Sequence, residues 1–165
     1  MNTLRYSIVL VILSLISACY SFKGISIAPE INSFKLEQVE DVYNKAPAGY
    51  PIEFYEALNA KIRKESRLVF NSSNPDIVFQ CKITQFEVSS QAPRQDITSY
   101  INRCSVVIEV EFTNKQNEKE NWKTNFSRYV DFDANVNFSS IQQQITQELS
   151  TLLVDDIFNK AFTNW

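Results

Sequence analysis

Apolar and polar positions follow two periods along this chain, and the places where the period changes mark its elements. An apolar run, Ile8-Val9-Leu10-Val11-Ile12-Leu13, stands behind a single basic residue, Arg5, and leads into Ile16-Ser17-Ala18-Cys19. Ile25-Ser26-Ile27 alternates as a strand does, until Pro29 interrupts, having no N–H for a ladder. Ile31, Phe34 and Leu36 resume an extended pattern, and the polar residues 37–50, punctuated by Pro47 and Gly49, predict a loop. Pro51 suits the first turn of a helix, where a missing N–H costs nothing. Phe54, Leu58 and Ile62 then recur every four residues, with Glu53 and Glu56 early and Lys61, Arg63 and Lys64 late, as the helix dipole favours. This predicts a first helix over residues 51–66.

Leu68-Val69-Phe70 reads as a short strand, followed by the turn formers Asn71-Ser72-Ser73-Asn74-Pro75-Asp76. In the next strand Ile77, Phe79, Cys81 and Ile83 share a face. Beyond Gln85 the phase slips to Phe86 and Val88, the mark of a bulge or bend. Residues 89–99 read as a polar loop. From Ile101 the alternation is clean: Cys104, Val106, Ile108, Val110 and Phe112 face one way, Ser105, Val107, Glu109 and Glu111 the other. A charged turn over residues 114–121 leads to a strand with Trp122, Phe126, Val130 and Phe132 on one face. Lys123, Asn125, Ser127, Tyr129 and Asp131 lie on the opposite face. Three strands with polar outer faces describe an antiparallel meander covered on one side.

The cover is the last helix. Phe138-Ser139-Ser140 offers a cap, and Ile141, Ile145, Leu149, Leu153, Ile157 and Ala161 recur at spacing four, widened by Leu152. Such a stripe also suits a coiled-coil partner, but the amphipathic sheet beside it needs covering, which favours packing within the chain. The expected fold class is α+β: a two-layer sandwich, two helices on one face of a mainly antiparallel sheet of four or slightly more strands.

The N-terminal run is too short to span a bilayer, which takes roughly 18 or more apolar residues. With Arg5 before it and Ser17-Ala18-Cys19 after it, the run reads as a bacterial lipoprotein signal. Residues 1–18 are then the leader, Cys19 the acylated residue that ties the chain to outer-membrane lipid, residues 19–24 a tether, and 25–165 one domain. No aspartate follows Cys19 to suggest retention at the inner membrane, so the periplasmic side of the outer membrane is expected.

Composition removes several function classes. The chain has no histidine and two glycines, so the commonest general base, the commonest metal ligand and any phosphate-cradling glycine loop are missing. A formal net charge of −3 offers no electrostatic footprint for nucleic acid. No cofactor or metal site is expected. Asp131/Asp133 and Asp155/Asp156 are the carboxylate pairs available for acid–base work. Adjacent residues on a helix diverge by about 100°, and nothing near Asp131 resembles a nucleophile, so no enzyme is expected. Cys81 and Cys104 admit two readings, a cross-strand disulfide or two buried core thiols.

The start Cys19-Tyr20-Ser21-Phe22-Lys23-Gly24 resembles that of the LptE family of lipopolysaccharide-assembly lipoproteins, in its bacteroidete-type branch. Further similar pieces are Ser33-Phe34, Asn44-Lys45-Ala46, Glu56-Ala57-Leu58, Asn102-Arg103, Phe112-Thr113-Asn114 and Phe126-Ser127-Arg128-Tyr129. The C-terminal Asp155-Asp156-Ile157-Phe158-Asn159-Lys160-Ala161-Phe162-Thr163-Asn164-Trp165 completes the set. The resemblance implies a non-catalytic subunit on the outer membrane. It would plug and help assemble an LptD-like outer-membrane β-barrel that delivers lipopolysaccharide to the surface, and would bind lipopolysaccharide itself. No motif carries the family's lipid-contacting residues onto this chain. By charge alone the basic candidates are Lys82, Arg94, Arg103, Lys123 and Arg128, with Lys82, Arg94 and Lys123 taken for lipopolysaccharide. The competing reading is a ligand-binding or protein-inhibitor lipoprotein on the same sandwich.

Overall fold

The computed structural model describes residues 26–92 and 100–163. Its strands are β1 (Ser33–Leu36), β2 (Glu40–Asp41), β3 (Val69–Phe70), β4 (Ile77–Gln91), β5 (Ile101–Asn114) and β6 (Trp122–Asp133). Its helices are α1 (Tyr50–Glu65) and α2 (Phe138–Phe162), with a 3-10 turn at Glu118–Glu120. The strands form one six-stranded sheet in the order β3-β1-β4-β5-β6, with β2 also beside β4. The long β4-β5-β6 portion is the expected antiparallel meander, whereas β1, β2 and β3 pair in parallel. The fold is the α+β sandwich read from the sequence, with a mixed edge.

The phase slip near Gln85 is a bulge. Ile83 pairs with Ile108 and Gln85 with Val107, so Thr84 is the extra residue, and its hydroxyl donates to the Val107 carbonyl at 3.3 Å. The inward set thereby changes from Ile77, Phe79, Cys81 and Ile83 to Phe86 without breaking the core. On β5, Cys104, Val106, Ile108 and Val110 are completely buried. Against them lie Phe54, Leu58 and Ile62 of α1 and Leu149, Leu153 and Ile157 of α2.

Several local expectations change. Residues 26–29 are not a strand: the Ser26 amide donates instead to the Phe162 carbonyl at 2.8 Å, and Pro29 sits in a turn. The polar stretch after β1 contains β2. Asp41 accepts from the amides of Tyr43, Asn44 and Ala46, and Asn44 takes φ 57°, a conformation asparagine tolerates. Tyr50 belongs to α1 and is 1 % exposed, an aromatic the loop reading had left outside the core. The cap of α2 is Asn137, whose side chain accepts from the Ser139 amide at 2.9 Å. The polar loop expected from residue 89 starts later, because β4 runs to Gln91. On α2, Thr146 and Ser150 are buried with Val154 and Phe158. These residues form a second stripe, and α1 and α2 touch each other as well as the sheet. The Thr146 hydroxyl lies 3.1 Å from Glu53 of α1.

The short parallel edge is fastened by Asp76, which precedes β4. Its Oδ2 accepts from the Asn32 amide (3.0 Å), the Ser33 amide (2.9 Å) and the Ser33 hydroxyl (2.7 Å). Its Oδ1 accepts from Gln116 Nε2 at 3.1 Å. One carboxylate thus joins β1, the start of β4 and the β5–β6 turn. The bond from the Asn32 amide, followed by those from Ser33 and Gln116, holds its pKa down from 3.8 to about 2. A depressed carboxylate stabilises the fold above its unfolded pKa and ceases to do so as pH falls through the folded one. Asp76→Ala should therefore cost about 1–2 kcal/mol at neutral pH. It should also flatten the part of the stability loss that wild type shows between about pH 4 and pH 2. Urea unfolding at pH 7 and pH 2.5 checks both, and an unchanged pH dependence would refute the clamp.

Candidate functional site

With both helices on the inner side, the outer faces of β4, β5 and β6 form an open polar surface. Strand register sets its rows: Gln80, Glu111 and Lys123; Lys82, Glu109 and Asn125; Gln85, Val107 and Ser127. Beyond the bulge come Glu87, Ser105 and Tyr129, then Ser89, Arg103 and Asp131. The alternation read from the sequence thus puts these residues together on one face.

Cations on this face are held by carboxylates. Lys123 Nζ lies 2.9 Å from Glu109 and 3.9 Å from Glu111, and the Glu109 hydrogen bond raises its pKa above the ordinary value. Lys82 Nζ stands 3.8 Å from Glu40 of β2. Arg103 grips Asp131 with two bonds, Nε to Oδ1 at 2.7 Å and a terminal nitrogen to Oδ2 at 2.8 Å. Its guanidinium also lies 3.6 Å from the centre of the Tyr129 ring. Arg128, the fifth basic candidate, is elsewhere. It is on the helix side of β6 and makes two 2.6 Å bonds to Asp156 of α2, so it joins helix to sheet. Arg94 and Cys19 lie outside the described residues.

The carboxylates considered for acid–base chemistry are all occupied structurally. Asp131 serves Arg103, Asp133 accepts from the Asn135 amide at 2.8 Å, Asp155 pairs with Lys61 at 2.7 Å, and Asp156 holds Arg128. Among the described residues no group of three or more potential metal ligands converges, and no helix is long and apolar enough to cross a membrane.

The disulfide reading of Cys81 and Cys104 is corrected. Both are free and buried, on adjacent strands with shared inward orientation. Cys81 is opposite Val110, however, and Cys104 opposite Val88. At about 3.3 Å per residue the two are roughly 20 Å apart along the ladder, beyond the ~7 Å between Cα atoms that a disulfide allows. Burial pushes the Cys81 thiol up to about 12 and the Cys104 thiol up to about 11.

A cleft of about 390 Å³ at one end of the sandwich was not foreseen. Ile27, Ile31, Phe112, Trp122 and Phe162 supply apolar walls, with Glu120 and Lys160 as charged lining residues. Trp122 stacks on Phe112 at 5.3 Å, and Lys160 Nζ is 6.0 Å from its ring. Buried Asn114 organises the adjoining turn by accepting from the Gln116 and Asn117 amides and donating to Glu120 at 2.7 Å. The Asn114 and Asn121 letters signalled a turn, but only the fold brings the distant Ile27 and Phe162 to it.

The architecture defines a class: a small two-helix, one-sheet domain whose charges are spent on structure and surface. Sequence comparison makes this specific. The profile of the LptE family, described as Lipopolysaccharide-assembly, matches residues 32–161, and the chain belongs to that family of non-enzymatic lipopolysaccharide-assembly lipoproteins of the outer membrane. No curated protein matches by sequence. Among solved structures it is similar to a hypothetical protein from Chlamydia trachomatis (10 % identity, 79 % of this chain and 98 % of that one, TM-score 0.52). It is also similar to PelC from Paraburkholderia phytofirmans, seen as a dodecamer (10 % identity, 86 % and 94 % covered, TM-score 0.53). The rare lipoprotein B of Shewanella oneidensis aligns with TM-score 0.46 at 8 % identity, covering 76 % of this chain and 89 % of that one. Such identities speak to the fold alone.

Two outcomes are expected. Thiol titration should show Cys81 and Cys104 unreactive in the folded protein and both reactive in denaturant without reductant; a bridged pair would stay silent. Lys82→Ala and Lys123→Ala should each shift stability by less than about 1 kcal/mol, because exposed pairs contribute little. Urea midpoints measure this, and larger losses would mean these lysines are structural.

Proposed function

We propose that this chain is the lipoprotein subunit of the outer-membrane lipopolysaccharide translocon, seated as a plug in an LptD-like barrel from the periplasmic side. The observation that carries this reading is the uncovered outer face of β4-β5-β6, whose rows are polar at every position but Val107 and Tyr129. A barrel lumen is polar, so a plug needs a surface that is wetted and hydrogen-bonding and not an apolar patch. Acylation of Cys19 supplies the tether. One acyl chain binds only marginally, and two or three, at about 0.8 kcal/mol per buried CH₂, hold firmly.

In this reading lipopolysaccharide phosphates meet Lys82, Arg94 and Lys123. Lys82, with its carboxylate at 3.8 Å, exchanges partners more easily than Lys123, held at 2.9 Å. A second reading, a ligand-binding lipoprotein, is favoured by the cleft beside Trp122, whose mixed apolar and charged walls suit a small amphiphile.

Purification of C-terminally tagged protein from detergent-solubilised membranes tests the assignment. One large outer-membrane barrel should co-purify in near-equal amount, and Cys19→Ser should move the protein from the membrane to the soluble fraction. Recovery of soluble periplasmic partners alone would refute the plug.

A further inference from the structure

The open face is not equally suited to docking along its length. Toward the β5–β6 turn, Lys123 is drawn onto Glu109 and Glu111, giving a mosaic of charged side chains that satisfy one another. Toward the other end stands Tyr129, 53 % exposed although aromatic. Its ring is held from one side. The Arg103 guanidinium covers one side of the ring at 3.6 Å, and that guanidinium is fixed by two bonds to Asp131. Arg103 and Asp131 are directly opposite across β5 and β6, and Tyr129 is two residues from Asp131 on the same face. The ring is therefore set before any partner arrives, which removes much of the ordering cost of binding. Tyrosine and arginine are also the residue types that dominate interface energetics.

Charge identifies the partner. Asp131 neutralises Arg103, while Glu87 lies in the same cross-strand row as Tyr129, with Ser105 between them. Two bonds orient Glu87, from the Tyr43 hydroxyl at 2.7 Å and Gln85 Nε2 at 3.0 Å. Asp133 adds a further carboxylate beyond Asp131. Lys45 acts on Glu87 electrostatically and offsets part of its charge. Among the described residues the carboxylates Asp131, Glu87 and Asp133 thus outnumber the cations Arg103 and Lys45 by one, which is unfavourable to a lipid phosphate and favourable to a cation. An arginine or lysine can lie on the exposed part of the ring by cation–π attraction, with Glu87 as its counter-charge. We propose that Tyr129, pre-set by Arg103 and Asp131, is the anchoring contact through which the open face grips a basic segment of the partner barrel wall. This rests on the plug reading above.

The test is quantitative co-purification of the barrel with full-length tagged protein from membranes. Tyr129→Ala should retain at most about a fifth of the barrel that wild type retains, Glu87→Lys should lose a similar share, and Tyr129→Phe should keep most of it, the ring being what matters. Far-UV melts of the three variants should match wild type, so that losses report docking and not folding. If wild type brings down the barrel and Tyr129→Ala does so equally well, the anchor is overturned while the plug stands. If Glu87→Lys strengthens retention, a basic partner is excluded. If wild type brings down no barrel, both readings fall.

Discussion

Everything in this domain depends on the burial of one long helix against one side of one sheet. The 25 residues of α2 run roughly 37 Å, and Leu149, Leu153 and Ile157 are fully withdrawn from water against the inward residues of β5 and α1. Each such side chain contributes about 1.5–3 kcal/mol when buried. The same packing decides which face of β4-β5-β6 stays open, because side chains alternate strictly along a strand. The bulge at Thr84 belongs to this constraint: without the extra residue, Phe86 would point outward and the inner stripe would stop halfway along β4.

From that asymmetry follows a division of labour among the charges. Those on the helix side fasten elements: Arg128 joins β6 to α2 through Asp156, and Lys61 joins α1 to α2 through Asp155. Asp76 ties the parallel edge to the meander. Those on the open side balance one another at the surface and leave a modest excess of carboxylate around Tyr129. A family of lipopolysaccharide-assembly lipoproteins, to which the chain belongs, has no need of an acid–base pair. The structure accordingly ties its carboxylates to arginines, lysines and backbone amides.

Much of this was legible in the sequence, because strands β4 to β6 and both helices carry long, regular periods. The α+β class, the inward and outward sets of β5 and β6, and the slip at Gln85 all followed from period alone. What was not legible depended on contacts between distant segments. A two-residue strand such as β2 has no period to detect, and its existence rests on Glu40 and Asp41 finding β4. Tyr50 looked like loop because Pro51 and Gly49 flank it, yet α1 begins there and buries it. Thr146 and Ser150 lie outside the spacing-four stripe of α2, and their polarity hid the second, helix–helix stripe that buries them. The cysteines could not be placed because the hairpin register depends on where the loop between β4 and β5 begins, which the run of polar residues from Ser89 did not mark. On the surface, Tyr129 and Arg103 could be assigned to one face, but not to contact.

The central claim is that the open sheet face, and not the exposed side of the helices, is the surface that meets the partner. Photo-crosslinking in intact membranes tests it most directly, with the crosslinker placed at Asn125 or Ser127 on β6 and, for comparison, at Gln147 on the wet side of α2. The account requires strong adducts to one large outer-membrane barrel from both β6 positions and much weaker ones from Gln147. Strong adducts from Gln147 with none from Asn125 and Ser127 would contradict it.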